Sequence, residues 1–351
     1  MSYQRNTSPQ KMFLAMAKAH PPIHSFRDED DFPAWKHEVR PKVLATLGDF
    51  PARVPLNPEL IVEWNEDGLR KRRYLIDVSE YISAEVIVAC PENLPERARL
   101  PAILCCHGHG PFGMAPVMGE RASAEIRQSI DSHNYDYGHQ MAKKGFVTYA
   151  IDWIGFGGRN DNGKPNLRMM TASDWCNQFY LHATMLGMTS LSINITHGMA
   201  ATDFVSGLPY VDAERLGVMG LSGGGTMSLW MGLCDDRIKA VEVICYSNLW
   251  ADFGLNDINY CGMQVAPGLF KLVDVPELQG LLAPKPLLVD IGIYDPCFLV
   301  ESAMRCYRKV EKIYRKAEAS DRLELDLFPG PHAWSGRKAP GFFGKYLGNK
   351  H

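Results

Sequence analysis

From residue 101 onward, short apolar runs alternate with longer segments in which apolar residues recur at helical spacing. The runs have the length and composition of buried strands, and they occupy residues 101–106, 146–151, 216–221, 238–245, 286–291 and 323–328. Strands that are joined by helices pair in parallel, because the helix returns the chain to the same end of the sheet. The sequence therefore predicts an α/β fold with a mainly parallel central sheet and helices on both faces.

Helices are predicted between these strands, at residues 133–144, 178–205 and 226–234. The segment 178–205 is mostly apolar and predicts a single long helix. A further helix is expected after residue 291, because four apolar residues there lie three or four positions apart and form one face: Ala303, Tyr307, Val310 and Tyr314.

Residues 1–58 are predicted to form a helical extension that precedes the main domain, residues 59–351. Within the extension, Asp31-Phe32-Pro33 is typical of a helix start with proline in the first turn. Three short strands should follow and pair antiparallel through turns at Asp67-Gly68 and near Glu80, and they lie at residues 60–62, 73–76 and 84–89.

Residues 247–283 interrupt the alternation of strands and helices. They are rich in Asn, Asp, Gly, Pro and aromatic residues and carry no long period. Long insertions of this kind often have a function. We interpret the segment as an insertion over the sheet edge, a lid or pocket wall; an ordinary surface excursion is the alternative.

The charge and the cysteines limit the partners and the compartment. A net charge of -3 gives no electrostatic footprint for nucleic acid or an acidic membrane surface. No run approaches the roughly 20 apolar residues of a membrane span, and the start of the chain lacks a secretory signal pattern.

The nine cysteines are scattered without a CxxC pair, which predicts reduced thiols in a cytoplasmic protein. No local Cys/His spacing indicates a zinc site, and we expect no metal and no cofactor.

The stretch GLSGGG, residues 220–225, places Ser222 between the strand 216–221 and a helix. A flexible linker or a phosphate-binding loop are the other interpretations, but neither GxxxxGK[ST] nor GxGxxG is present. A strand, a GxSxG turn and a helix together present a serine hydroxyl at the carboxyl end of the sheet. Ser222 is therefore the predicted nucleophile.

A serine nucleophile needs a base and an acid that orients the base, and both follow a GxSxG serine in the chain. Only His332 and the terminal His351 follow Ser222. We predict His332 as the base, since it lies in a Pro-Gly-rich loop after the last strand. The acid is predicted to be Asp295, past the end of the strand 286–291, rather than Asp290 within that strand.

The developing oxyanion needs backbone N–H donors. One should come from Gly223, which follows the nucleophile, and the other from His109 in the loop His107-Gly108-His109-Gly110. His107 is expected to brace this loop through its side chain. Seven aromatic residues are predicted to border the crevice, as a substrate pocket or as ordinary core: Trp153, Trp175, Phe179, Tyr180, Trp250, Phe253 and Tyr260.

The order of HGHG, GLSGGG, a late Asp-Pro and a late PGPH resembles the α/β-hydrolase superfamily, and more closely its dienelactone-hydrolase-like and acetylxylan-esterase-like branch. The resemblance covers residues 30–345. It implies a triad of Ser222, Asp295 and His332 that hydrolyses carboxylic esters, including acetyl or other short-acyl esters, without a cofactor. Dienelactone hydrolases proper carry cysteine as the nucleophile, whereas this chain has serine.

Other functions remain open at this stage. A peptidase, an amidase or a thioesterase could use the same triad, and a non-catalytic homologue could use the pocket for binding alone. Residues 1–58 could serve assembly, so a homo-oligomer is another open alternative. The expected partner of the chain is a small-molecule ester.

Overall fold

A computed structural model describes residues 5–161, 175–256 and 260–348. Terminal His351, rejected above as the base, lies outside the described residues. Nine strands form one sheet in the order β1-β2-β3-β5-β4-β6-β7-β8-β9. In chain order they are β1 Glu59–Glu66, β2 Leu69–Ser79, β3 Ile82–Pro91, β4 Leu100–Cys106, β5 Val147–Ile151, β6 Val211–Leu221, β7 Ile238–Ile244, β8 Leu287–Gly292 and β9 Leu323–Phe328.

Helices cover both faces of this sheet, and a separate cluster of buried apolar residues lies on each side. The helices are α1 Pro9–Ala19, α2 Phe32–Ala45, α3 Met114–Val117, α4 Ala124–His133, α5 Tyr137–Lys143, α6 Trp175–Met185, α7 Ser190–Ser206, α8 Gly223–Cys234, α9 Leu269–Leu272, α10 Val275–Gly280, α11 Val300–Lys316 and α12 Ala339–Leu347. Within the described residues, none of them has both the length and the apolar character that crossing a membrane requires.

The sheet is parallel from β5 through β4 to β9, and β1, β2 and β3 are added to it as an antiparallel meander. The meander joins the rest where β3 pairs antiparallel with β5. The first hairpin turns at Asp67 and Gly68, whose φ angles are 53° and 75°. Both residue types tolerate such angles. The predicted turn at Asp67-Gly68 is confirmed by these angles, and the predicted mainly parallel sheet is confirmed by the strand pairing.

Helix α2 begins where the sequence indicates. The Asp31 side chain accepts a hydrogen bond from the N–H of Ala34 at 3.0 Å and caps the helix. Its buried face belongs to the larger apolar cluster, whereas α1 buries no residue. The helix therefore packs on the core of the main domain, although the division at residue 58 stays a prediction.

The single helix expected over residues 178–205 is wrong, because the chain forms α6 and α7 instead. Gly187, with φ 79°, ends the first of them. Thr189 and Ser192 then form a capping box that starts the second. The prediction failed because the segment is apolar on both sides of this break. Apolar composition alone does not show where one helix ends and another begins.

The helix expected over residues 133–144 is also displaced. Helix α4 ends at His133 and α5 begins at Tyr137. Asn134 between them adopts φ 47° and ψ 50°, a left-handed conformation that asparagine tolerates better than most residues. This break turns the chain so that α5 packs on β3, β4 and β5 while α4 packs against α3.

The second half of the segment 247–283 is helical and buried. Helix α10 begins with a capping box formed by Asp274 and Glu277. Val275, Leu278 and Leu281 lie in the larger apolar cluster. This half contributes to the core, although the sequence there shows no long period. The lid remains a prediction.

Candidate active site

Ser222 lies at the turn between β6 and α8, with φ 61° and ψ −121°. A non-glycine residue in this region is strained, and such strain is typical of functional sites. Its N–H donates to the carbonyl of Ile244 at the end of β7, at 2.9 Å. The serine is therefore held by the neighbouring strand in a conformation that a flexible linker would not keep.

The glycines around Ser222 permit a close approach of strand, helix and loop. A Cβ atom at Gly220 would lie 2.3 Å from the carbonyl oxygen of Gly224, and one at Gly224 would lie 2.0 Å from that of Cys106. A Cβ atom at Gly225 would lie 2.7 Å from the Cβ of Tyr246. All three distances are shorter than van der Waals contact, so each position requires glycine.

Asp295 and His332 are paired. The Nδ1 atom of His332 lies 2.8 Å from Oδ2 of Asp295. The other carboxylate oxygen accepts hydrogen bonds from the backbone N–H groups of Cys297 at 2.7 Å and Phe298 at 3.0 Å. Only 2% of the Asp295 side chain is exposed, against 14% for His332. The acid is therefore sequestered, and the imidazole reaches the surface of the site.

Two aromatic side chains orient the imidazole of His332. Phe298 stacks on it, with ring centroids 5.7 Å apart and an interplanar angle of 20°. His133 approaches edge-on at 6.5 Å and 85°. Because Nδ1 is bonded to Asp295, Nε2 is the nitrogen left to exchange a proton with a reacting group.

The alternative acid, Asp290, lies inside the sheet. It is 1% exposed. Burial and the nearby Glu242 carboxyl raise the pKa of Asp290 well above its usual range. An acid of this kind is neutral, whereas Asp295 is hydrogen-bonded to His332, so the geometry favours Asp295.

The loop after β4 lies against the nucleophile. A Cβ atom at Gly108 would lie 3.3 Å from the Cβ of Ser222, and one at Gly223 would lie 3.4 Å from the backbone nitrogen of His109. The two predicted oxyanion donors, Gly223 and His109, thus adjoin each other beside Ser222. An oxyanion hole requires two backbone N–H donors close together, and the role of these two stays a prediction.

Comparison with models of known protein families gives a match over most of the chain. The Abhydrolase family matches residues 1–326. The chain belongs to the Abhydrolase family. A curated relative, "Putative hydrolase YtaP" of Bacillus subtilis (strain 168), is 24% identical over 288 residues, which cover 81% of this chain and 89% of YtaP.

Solved structures resemble this Abhydrolase family member along most of its length. The "putative acetyl xylan esterase" BF1801 of Bacteroides fragilis NCTC 9343 gives a TM-score of 0.73 at 17% identity, covering 93% of this chain and 83% of that one. A glucuronoyl esterase from Solibacter usitatus gives 0.63 at 15% identity, covering 93% and 97%. Likeness at these identities establishes the fold, and the predicted α/β-hydrolase fold is confirmed.

His107 braces the loop after β4 of this Abhydrolase family member, as predicted. Its Nδ1 lies 2.8 Å from the carbonyl oxygen of Gly108, and its Nε2 accepts from the N–H of Trp153 at 3.0 Å. The side chain is fully buried, and burial lowers the pKa of His107 to about 4. It is therefore a neutral imidazole whose Nδ1–H donates to the loop.

Two tyrosines support the same loop, and the sequence did not indicate them. The hydroxyl of Tyr135 accepts from the N–H of Gly108. The hydroxyl of Tyr137 donates to the carbonyl of Cys106. Both precede or begin α5, far from the motifs in the chain, so only the tertiary structure brings them to the site.

Cys245 is a further residue that the sequence did not indicate. Its thiol forms a group with the Asp295 carboxylate and the His332 ring, with ligand atoms within 4.8 Å of one another. The Cys245 φ angle is 46°, and its Sγ donates to the carbonyl of Ala333 at 3.5 Å. Burial raises the pKa of the Cys245 thiol well above its usual range, so it is a neutral neighbour of the pair.

The seven aromatic residues predicted to border the crevice divide into two groups. Trp153, Trp250 and Phe253 are buried in the larger apolar cluster, which is the core alternative. Trp175 and Phe179 stack on each other with centroids 5.5 Å apart. Tyr180 lies where α6 packs on Gly262. Tyr260 instead belongs with the buried group, because its ring lies 5.2 Å from that of Phe253 and its hydroxyl accepts from Nε1 of Trp250.

A cavity of about 630 Å³ adjoins α6 and the start of α7. Phe179, the half-buried Arg159 and the buried His197 are among the residues that line it. Burial lowers the pKa of Arg159 to about 10, and its Nη2 lies 3.1 Å from Nδ1 of His197. Burial raises the pKa of Asp152 to about 6, although its carboxylate accepts two backbone N–H groups.

Proposed function

We propose that this chain is a serine hydrolase that cleaves carboxylic esters through Ser222, His332 and Asp295. The observation that carries the proposal is the hydrogen bond between His332 and the buried Asp295. It occurs in a fold whose strained GxSxG turn presents Ser222 beside two backbone donors. This combination of nucleophile, base and orienting acid is what acyl transfer by serine requires.

In the proposed reaction, Nε2 of His332 removes the proton of the Ser222 hydroxyl as the oxygen attacks the ester carbonyl. The Asp295 carboxylate accepts the Nδ1–H and stabilises the imidazolium that forms. The proton then passes to the departing alcohol, leaving an acyl group on the serine. Water attacks this ester in the same way and releases the carboxylic acid.

The N–H groups of Gly223 and His109 are proposed to stabilise the oxyanion of each tetrahedral intermediate. A pair of fixed donors can lower the barrier by several kcal/mol, about 3–4 for one donor. Their position is supported by His107 and Tyr135, which hold the peptide groups on either side of Gly108.

Esters are favoured over amides and thioesters because two similar structures carry the names acetyl xylan esterase and glucuronoyl esterase. We therefore propose a short acyl group, such as acetyl, on a small alcohol. A panel of p-nitrophenyl esters against aminoacyl p-nitroanilides separates this proposal from a peptidase or amidase. Faster cleavage of the anilides would assign the triad to amide hydrolysis.

Labelling with a fluorophosphonate, followed by peptide mapping, tests the nucleophile directly. The label should be found on Ser222, and Ser222→Ala should lose both the label and the esterase activity. Ser228→Ala is the matched control, because Ser228 lies on the same helix and its hydroxyl donates to backbone carbonyls. A labelled Ser222→Ala protein would refute the assignment.

We also propose a cytoplasmic location, supported by the nine cysteines, all of which lie in the described residues and none of which forms a disulfide there. Reduced thiols persist in the cytoplasm, whereas oxidising compartments favour disulfides. Cell fractionation followed by immunodetection tests this proposal. Recovery of the protein outside the cytoplasmic fraction would contradict it.

A further inference from the structure

We propose that His109, Cys176 and Cys261 form a binding site for a thiophilic divalent cation such as Zn²⁺. The three side chains come from the loop after β4, the second position of α6 and the residue before a short turn of 3₁₀ helix at 262–264. One ligand atom of each lies within 4.8 Å of the other two. The proposal does not depend on the role of Ser222.

The distance between two of the ligand atoms fits tetrahedral zinc. Sγ of Cys176 lies 3.4 Å from Nε2 of His109. Zinc binds thiolate sulfur at about 2.3 Å and imidazole nitrogen at about 2.0–2.1 Å, so the S–N edge of a tetrahedral site is about 3.5 Å. A cation could therefore be bound with only small movements of these side chains.

The two thiols are held side by side by the residues that follow them in the chain. The Asn177 side-chain oxygen accepts a hydrogen bond from the N–H of Gly262 at 2.7 Å. A Cβ atom at Gly262 would lie 2.3 Å from the Cβ of Tyr180, so only glycine allows α6 to approach the 3₁₀ turn this closely. Cys176 and Cys261 are 1% and 2% exposed, which gives the site rigid and largely dry walls.

The neighbours of the ligands favour metal binding. The side-chain amide of Gln264 lies 3.8 Å from Sγ of Cys261 and donates to it, which stabilises a thiolate. The His109 ring packs edge-on against Phe156, with centroids 5.2 Å apart and an angle of 79°. His109 is the exposed member of the three, so a cation can enter from its side.

The donor set determines the kind of cation. Two thiolates and one imidazole suit soft or borderline ions, and Zn²⁺ in particular, over Mg²⁺ or Ca²⁺. Two thiolates also balance the charge of a divalent ion, which reduces the cost of burying it. Three protein ligands leave a fourth position for water.

A bound ion would join three parts of the molecule. Helix α6 and the segment 247–283 would be linked to the loop that carries the N–H of His109, one of the proposed oxyanion donors. The sequence did not indicate the group of His109, Cys176 and Cys261, because these residues are far apart in the chain. The zinc motifs that can be recognised in a sequence place their ligands a few residues apart.

Metal titration of the full chain tests the site. Reduced, metal-free protein is titrated with Co²⁺, and then with Zn²⁺ in competition with a chromophoric chelator. We expect one equivalent of either ion, thiolate-to-Co²⁺ charge-transfer absorption and a higher melting temperature with Zn²⁺. Cys176→Ser, Cys261→Ser and His109→Ala should each weaken Zn²⁺ binding about 100-fold, whereas Cys297→Ser, at an exposed thiol, should leave it unchanged.

His109→Ala keeps the test decisive if a buried cysteine variant fails to fold, since it truncates an exposed side chain. Circular dichroism verifies folding for every variant. The proposal is overturned if the reduced protein binds no ion tightly, or if the three substitutions leave binding unchanged. It is also overturned if Cys176 and Cys261 form a disulfide and the reduced protein takes up no metal. Fluorophosphonate labelling of Ser222 is measured separately, so neither result decides the other.

Discussion

The carboxylate of Asp295 accepts the Nδ1 hydrogen of His332 across 2.8 Å, and only 2% of the Asp295 side chain is exposed. Two backbone N–H groups, from Cys297 and Phe298, bind its second oxygen. The aspartate is thus fixed in position before any substrate binds. Its effect on the reaction can be tested without altering the shape of the site.

Asp295→Asn should lower kcat by about 10⁴-fold with a much smaller change in KM. An asparagine amide can donate to Nδ1 and so favours the wrong imidazole tautomer. Steady-state kinetics on p-nitrophenyl acetate measures the effect, with Asp131→Asn at an exposed aspartate as the control. A loss of less than tenfold would show that Asp295 does not orient the base.

Tyr135→Phe should lower both kcat and stability. The substitution leaves the N–H of Gly108 buried without its acceptor, at a cost of about 1–3 kcal/mol in the free energy of unfolding. It also loosens the loop that carries His109, so we expect about a tenfold lower kcat. Urea unfolding and steady-state kinetics on the same preparation measure the two effects.

Tyr314→Phe is the matched control for that experiment. Its hydroxyl is also buried and donates to the carbonyl of Lys285, far along the chain from the serine turn. We expect a comparable loss of stability and an unchanged kcat. Equal losses of kcat in both variants would mean that the Tyr135 effect is only structural.

Gly225→Ala should destabilise the fold by about 1–3 kcal/mol, because the new methyl group would lie 2.7 Å from the Cβ of Tyr246. Gly341→Ala is the control, since a Cβ atom there meets nothing within 4 Å in helix α12. Alanine at that position should raise stability by up to about 1 kcal/mol. Thermal unfolding of both variants measures the difference, and equal melting temperatures would contradict the steric argument.

Stability should fall as pH rises from mildly acidic to mildly alkaline. Burial raises the pKa of Glu242 to about 8 from 4.5. The folded state therefore holds a proton that the unfolded state releases. The resulting stabilisation is complete below pH 4.5 and is lost as pH rises through about 8.

Glu242→Gln should flatten this dependence, because glutamine is neutral at every pH and its oxygen can still accept from Nε1 of Trp334. Urea unfolding between about pH 5 and pH 9 should show a smaller slope, by up to about 1.4 kcal/mol per pH unit. Glu214→Gln, at an exposed glutamate, should leave the slope unchanged. An unaltered slope in Glu242→Gln would place the titration elsewhere.

The strands and the candidate triad could be predicted because their signals are local. Apolar runs mark the buried strands, and Ser222, Asp295 and His332 each follow one of them. Parallel strands end at the same edge of the sheet, so residues that follow them converge there. Residues that are distant in the chain can therefore be predicted to lie together before any of their contacts are known.

The remaining features depend on contacts that no short pattern records. Tyr135 reaches Gly108 because α4 and α5 turn at Asn134, and the sequence predicted a continuous helix there. Cys176 meets Cys261 because the first half of α6 packs on the 3₁₀ turn at 262–264. The misplaced helix at 133–144 thus concealed part of the site.

The end of β7 supports both halves of the candidate triad. Ile244 accepts the N–H of Ser222, and the next residue, Cys245, contacts the group that contains Asp295 and His332. A displacement of this strand end would carry the nucleophile and its base in the same direction. Substitutions elsewhere in β7 should therefore alter stability before they alter the rate of the chemical step.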